Sequence, residues 1–128
     1  MTQLTAVTTK EAPAAIGPYS QAIRAGDLIF CSGQIPIDPA TGNFVEGGIE
    51  EQTRRCLENL QNVLAEAGSG LERAVRMTVF LKNMEDFPRV NEVYATFFSN
   101  VPPSRATVEV SRLPKDAMVE IDCIACAS

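Results

Sequence analysis

Residues 49–82 read IEEQTRRCLENLQNVLAEAGSGLERAVRMTVFLK, and the spacing of apolar residues changes inside this stretch. Ile49, Cys56, Leu57, Leu60, Val63, Leu64 and Ala67 recur at the three-and-four spacing of one helix face. Glu50 and Glu51 stand in the first turn, where negative charge suits the helix dipole, and Gly68 is the stop. From Ala74 to Lys82 the period falls to two, with Val75, Met77, Val79 and Leu81 on one side and Arg76, Thr78, Phe80 and Lys82 on the other. A long amphipathic helix followed at once by an alternating strand predicts an α+β chain.

Working outward, Ser20–Arg24 and Leu28–Ser32 read as two short strands joined through Ala25-Gly26-Asp27, a hairpin by its length and its glycine. A further short strand is expected around Leu4–Thr8, before an irregular lead-in marked by Pro13, Gly17 and Pro18. Pro36–Gly48, rich in glycine and proline, reads as a loop. On the other side, Asp86 can cap a second helix with Pro88 in its first turn and Val90, Val93, Tyr94, Phe97 and Phe98 as its apolar stripe. Val101-Pro102-Pro103 ends it. Arg105–Ser111 and Met118–Ala125, either side of a turn at Leu113–Asp116, read as two strands of a hairpin.

The expectation is one α+β domain over residues 1–128, six strands in a single sheet with two helices on one face. Two helices cannot cover both faces. Leu28-Ile29-Phe30-Cys31 is apolar on both sides, and Phe80 and Ile124 fall on the face away from the helices. A homo-oligomer that buries this second face is the economical reading, set against a scatter of surface apolar residues.

Composition restricts the chemistry. The 128 residues include 11 Lys and Arg, 16 Asp and Glu, four Cys and no His, a net charge of −5. Without histidine there is no Ser-His-Asp triad, no Cys-His pair and no zinc site of the His-containing kinds. The acidic balance and scattered basic residues disfavour a general nucleic-acid binder, which draws affinity from clustered Lys and Arg. Met1–Lys10 lacks the pattern of a signal peptide, and no apolar run approaches the roughly 20 residues of a membrane span. No membrane or nucleic-acid partner is expected, and the expected location is the cytoplasm.

Several chemical motifs have bland readings. In Cys123-Ile124-Ala125-Cys126 the two thiols, three apart on a strand, point to opposite faces, which favours structural cysteines over a redox or metal pair. Gly47-Gly48 precedes a helix like a phosphate cradle, but Glu50 and Glu51 would repel a phosphate. Lys82 and Lys115 lack the apolar context of a Schiff-base lysine. The terminal strands say more: Arg105, Thr107 and Glu109 share one face of the first, and Met118, Glu120, Asp122 and Ile124 share one face of the second. If those faces coincide, they form either ion pairs between subunits or a cleft in which Arg105 clamps a carboxylate and Glu120 handles a water or proton.

Around these residues the sequence resembles a known family. Ala14-Ala15-Ile16-Gly17-Pro18-Tyr19-Ser20-Gln21-Ala22, Cys31-Ser32-Gly33-Gln34-Ile35-Pro36, the Asn91 helix, Pro103-Ser104-Arg105-Ala106-Thr107-Val108-Glu109-Val110, Leu113-Pro114-Lys115-Asp116 and Val119-Glu120-Ile121 are similar to the Rid family of reactive-intermediate deaminases. The resemblance runs in order over nearly the whole chain. It implies a chorismate-mutase-like α+β fold with a mixed sheet, a homotrimer with three clefts between subunits, and no cofactor or metal. It further implies hydrolysis of 2-imino acids such as 2-iminobutanoate and 2-iminopropanoate, or their enamine tautomers, to 2-oxo acids and ammonia, the imines being released by pyridoxal-phosphate dehydratases.

Carried over by position, Arg105 would bind the substrate carboxylate and Glu120 would position or activate the water. Tyr19, Ser32, Gly33, Asn91 and Thr107 would line the pocket. Thr107 stands where many deaminase members carry Cys, which bears on substrate preference. A protonated imine is already a strong electrophile, so an Arg, a carboxylate and a water can suffice without histidine. The alternatives are a non-catalytic trimer that binds small carboxylates, a related enamine deaminase of the aminoacrylate or aminomuconate type, and an endoribonuclease or translation inhibitor. The acidic charge and missing histidine count against the last.

Overall fold

The structure, a computed structural model, describes residues 1–128. Six strands form one sheet: β1 (Leu4–Val7), β2 (Ala22–Ala25), β3 (Leu28–Gln34), β4 (Ala74–Leu81), β5 (Ser104–Glu109) and β6 (Val119–Cys126). Two helices, α1 (Ile49–Glu66) and α2 (Phe87–Ala95), pack against each other, and α1 lies along β3 and β6. The α+β order read from the sequence is the one observed.

The strand order is β1-β2-β3-β6-β4-β5. All neighbours run antiparallel except β4 and β5, which are parallel and joined through α2. This corrects the expected hairpin between the last two strands: β5 and β6 are not neighbours. A tight hairpin needs a loop of two to about five residues, whereas residues 110–118 form a longer link that crosses the end of β4. Val110 N–H donates to the Leu81 carbonyl at 2.9 Å and Lys82 N–H to that of Met118 at 3.0 Å, so the crossing chain is tied down on both sides. There Lys115 and Asp116 both hold positive φ, and Lys82 pairs with Asp116 at 2.8 Å.

β6 is therefore central rather than peripheral. Its Val119, Ile121, Cys123 and Ala125 are buried beneath α1, whose Cys56, Leu57, Leu60, Val63 and Leu64 are wholly buried. With Ile29, Met77, Val79 and Leu81 they form the core. The predicted face of β4 is right for Met77, Val79 and Leu81. Val75 is exposed, because a register shift between Ala74 and Arg76 turns it out of the ladder.

The second face of the sheet carries Leu28, Phe30, Ile124, Phe80 and Val108. Phe30 is 43% exposed, and Leu28 and Val108 are exposed as well. The apolar second face anticipated from the sequence is thus present. Cys123 sits in the core and Cys126 on this other face, as their spacing required.

At the helix starts, the Glu51 carboxylate accepts from Gly48 N–H at 3.1 Å, so the Gly47-Gly48 entry is occupied by the helix's own acid. The expected Asp86 cap is replaced: Asn83 accepts from Glu85 N–H in a 3-10 turn that leads into α2, and Asp86 pairs with Arg89 at 2.6 Å. α2 ends at Ala95, and Phe97 and Phe98 pack on the core from the turn beyond it.

Candidate active site

Arg105 sits on β5 opposite Met77 of β4, on the helix-covered face. Above it, Phe87, Asn91 and Tyr94 of α2 fall at i, i+4 and i+7 and share one helix face. The Asn91 Oδ1 accepts from Arg105 Nη1 at 2.8 Å. The guanidinium carbon lies 4.7 Å from the centre of the Tyr94 ring and 5.2 Å from that of Phe87. These contacts fix the plane of the guanidinium by cation–π attraction and one hydrogen bond, with its remaining N–H groups unspent on Asn91. Thr107, next along the same face of β5, has a buried hydroxyl with no partner in the chain.

Tyr94 is 7% exposed and its hydroxyl is likewise unpartnered. Burial pushes its phenol up to about 12, opposed by the positive charge of Arg105 and assisted by Cys123. The phenol is therefore neutral and able to donate across the physiological range.

A second group forms around Glu120. This residue lies on β6 opposite Phe80, on the open face, and is half-buried. Burial raises its carboxyl above the ordinary range for glutamate, and the like charge of Asp122 adds to the rise. Gly33 lies against it: a Cβ there would come within 2.2 Å of Glu120 Oε2, so only glycine admits the carboxylate in this place. β3 shifts register between Cys31 and Gln34 at the same point, which moves the Gly33 backbone out of regular pairing. Ser32 is pinned to the preceding segment, its Oγ donating to the Ser20 carbonyl at 2.6 Å and its N–H to that of Gln21 at 2.9 Å.

Tyr19 is 54% exposed and borders, with Gly33, a cavity of about 290 Å³ walled by Ile16, Ile35, Ile37 and Lys115. A larger cavity, about 640 Å³, lies on another side of Tyr19 and is lined by no carboxylate. The segment carrying Tyr19 is held by Gln21, whose buried amide donates to the carbonyls of Thr9 and Pro13 and accepts from Thr9 N–H.

The predicted residues thus fall into two sets. Arg105, Asn91 and Thr107 stand together under α2, while Gly33 and Glu120 touch at β3 and β6, with Ser32 and Tyr19 beside Gly33. The condition set in the sequence reading, that the faces of the last two strands coincide, is not met within one chain: β4 separates the strands, and Arg105 and Glu120 project from opposite sides of the sheet. Phe87 and Tyr94 were not anticipated as site residues. The signal was the polar Asn91 at helical spacing between two aromatics, which the apolar-stripe reading passed over.

Against this geometry the comparisons with known proteins are decisive. A family model described as Endoribonuclease L-PSP matches residues 9–127. The chain belongs to the Rid family. A crystal structure of a Rid family protein of unknown function, YyfA from Yersinia pestis, is 48% identical, with a TM-score of 0.95 over 97% of this chain and 99% of that one. Among relatives, the Arabidopsis thaliana protein named Reactive Intermediate Deaminase A, chloroplastic, is 44% identical over 93% of this chain and 64% of its own length. TdcF of E. coli, solved with bound serine, is 40% identical, with a TM-score of 0.92 over 97% of this chain and 99% of that one. The backbone fold is therefore one that solved relatives share over nearly the whole chain.

Proposed function

We propose that this Rid chain hydrolyses 2-imino acids or their enamine tautomers to 2-oxo acids and ammonia, with 2-iminobutanoate and 2-iminopropanoate as the substrate class. The observation that carries the reading is the Arg105 guanidinium, held in one plane by Asn91, Phe87 and Tyr94 with N–H groups left for a planar carboxylate. The names of the Arabidopsis relative, a reactive-intermediate deaminase, and of TdcF with bound serine, an α-amino carboxylate, support it.

The site is proposed to close between copies. Within one chain Glu120 is on the far side of the sheet from Arg105, too far for one small substrate to touch both. An assembly that covers the apolar open face brings Glu120, Gly33, Ser32 and Tyr19 of one subunit toward Arg105, Asn91 and Thr107 of the next. A closed homotrimer with three such clefts satisfies both needs.

In this cleft Arg105 would take the carboxylate and so orient the adjacent carbon–nitrogen double bond. Glu120, ionised, accepts a proton from a water whose oxygen bonds to C2, while the π pair moves to nitrogen. The carbinolamine formed from the protonated imine then collapses: Glu120 hands its proton to the amine nitrogen, the carbon–nitrogen bond breaks as the carbon–oxygen double bond forms, and the hydroxyl proton passes through Glu120 to the released ammonia, so that protonated imine and water give 2-oxo acid and ammonium. Tyr19, Ser32 and Gly33 shape the wall, and the free imine's own reactivity keeps the required acceleration small. The family model's description speaks of an endoribonuclease. The −5 charge and absence of histidine favour the small-molecule reaction in the cytoplasm over RNA cleavage.

The test couples the protein to a threonine dehydratase and follows the lifetime of the released imine. A shortened lifetime, restored to the uncatalysed value by Arg105→Ala, is expected. An unchanged lifetime, with tight binding of 2-oxo acids, would establish a binding protein instead.

A further inference from the structure

The cavity of about 290 Å³ bordered by Tyr19 and Gly33 does not end at the site. Two of its lining residues, Ile37 and Lys115, also line a second hollow of about 250 Å³, together with Gly42, Asn43 and Phe44. The two hollows adjoin and lead away from the Gly33 wall as one groove. Its floor is fixed in place. Asn59, wholly buried on α1, donates to the carbonyls of Ile35 at 3.3 Å and Ile37 at 3.0 Å, and Ile37 bridges Phe44 in a short antiparallel pair. Ile16, Ile35, Ile37 and Phe44 make much of the lining apolar, and Lys115 is the one charged residue on either hollow.

Lys115 forms no ion pair, and the adjacent carboxylate, Asp116, is taken by Lys82 at 2.8 Å. The φ of Lys115 is 54° and that of Asp116 is 58°, so two successive residues with side chains hold the left-handed region. Such a backbone is strained and persists only where its surroundings impose it. Here the turn is tied by N–H bonds from Asp116 to the Leu113 carbonyl and from Ala117 to that of Pro114, both 3.1 Å, and by the Lys82 pair. The tied turn sets an unpaired lysine at the junction of the two hollows.

We propose that Lys115 selects the substrate: the groove beyond Gly33 receives the substrate's side chain, and the Lys115 ammonium pairs with a carboxylate at its far end, so that 2-imino dicarboxylates are favoured. The inference rests on the reading of Arg105 and Glu120 as one shared site. In that site the carboxylate on C2 goes to Arg105 and the nitrogen departs as ammonia, which leaves the side chain to run along the Tyr19 and Gly33 wall into the groove. The ethyl group of 2-iminobutanoate fills little of it. The chain's net charge of −5 opposes a dianion at long range, but that field is screened, and a cation at contact distance outweighs it. A dicarboxylic iminium forms when an acidic amino acid is oxidised, a hydride passing from Cα to a flavin or nicotinamide and a proton leaving the nitrogen. The supplying reaction is then an amino-acid oxidation.

The probes are 2-oxobutanoate, 2-oxohexanoate, 2-oxoglutarate and 2-oxoadipate, titrated by calorimetry into the full-length protein. At least one of the two dicarboxylates should bind about fivefold more tightly than 2-oxohexanoate, as expected for one ion pair at a partly exposed position. Lys115→Met should bring that ratio to about one, and Lys115→Arg should keep most of it. Lys115→Gly, which suits the left-handed backbone, should lose the ratio as Lys115→Met does and guards against a misfolded variant. If neither dicarboxylate is preferred by wild type, or if the preference survives in Lys115→Met and Lys115→Gly, the inference is overturned, while binding of 2-oxobutanoate that Arg105→Ala abolishes leaves the clamp standing. If wild type binds none of the four, or Arg105→Ala binds them as well as wild type does, the clamp reading fails and the inference with it.

Discussion

Arg105 and Glu120 stand on strands that both flank or adjoin β4, yet their side chains leave opposite faces of the sheet: Arg105 is registered with Met77 in the core and Glu120 with Phe80 on the open face. β5 and β6 are separated by one strand, so their backbones are roughly 9–10 Å apart before the opposed directions are counted. This relationship governs how the two residues can cooperate.

The Arg105 clamp predicts a graded response to substitution. Arg105→Ala removes two charge-assisted hydrogen bonds, about 3 kcal/mol or more together, and kcat/KM should fall at least roughly a hundredfold. Arg105→Lys keeps the charge but not the fork or the stacking on Tyr94 and Phe87, and should still lose about tenfold. Equal activity of Lys and Arg at this position, measured in the coupled imine assay, would contradict a bidentate role.

Gly33→Ala places a methyl group 2.2 Å from Glu120 Oε2 in the present arrangement. The obstacle is the end of a flexible side chain, so the protein should fold and the carboxylate should swing aside. Turnover should fall steeply with little change in melting temperature. In a Glu120→Gln background the same substitution should cost almost nothing further, since the group it displaces is already disabled. Additive losses would show that Gly33 acts independently of Glu120.

The acid limb of the pH profile should report on Glu120. Burial and Asp122 raise its pKa, so the ionised form needed to accept a proton is lost, as pH falls, sooner than for an exposed glutamate. The sign for stability follows as well: a carboxyl whose folded pKa is raised favours the folded state below its unfolded pKa and forfeits that contribution as pH rises through the folded one. Asp122→Asn removes the like charge and should move the acid limb of kcat/KM to lower pH. A limb that stays in place or moves up would assign the ionisation to another group.

The open face offers a test of assembly. Phe30 is 43% exposed and paired with Ile124, so Phe30→Asp puts a charge in the middle of the apolar patch. Light scattering should show wild type as an oligomer and the variant as dissociated, with loss of turnover. A monomeric wild type, or a variant that assembles as before, would contradict burial of this face between subunits.

The helix α1 and strand β4 were legible because periodicity speaks directly about local conformation and about which side of an element is apolar. It says nothing about which strand lies next to which. Met118–Ala125 reads as a strand, observed as Val119–Cys126, but its place between β3 and β4 depends on a link long enough to cross β4, and a hairpin is the simpler inference from sequence. For the same reason the sequence leaves open whether Arg105 and Glu120 share a face. Gly33 was legible as a motif residue, while the reason for it, contact with the Glu120 carboxylate, needed coordinates. Tyr94 was read as part of an apolar stripe, correctly for its ring, since sequence patterns weigh the whole side chain and cannot single out one unsatisfied oxygen.

The central claim is that Arg105 of one subunit works with Glu120 of another, and intersubunit complementation tests it most directly. Arg105→Ala and Glu120→Gln, each inactive alone, are unfolded together in equal amounts and refolded, and imine hydrolysis is measured. If the site is shared, random mixing pairs an intact Arg105 with an intact Glu120 in roughly one cleft in four, and about a quarter of wild-type activity returns. If both residues serve a site within one chain, every cleft carries a defect, and the mixture stays as inactive as its components.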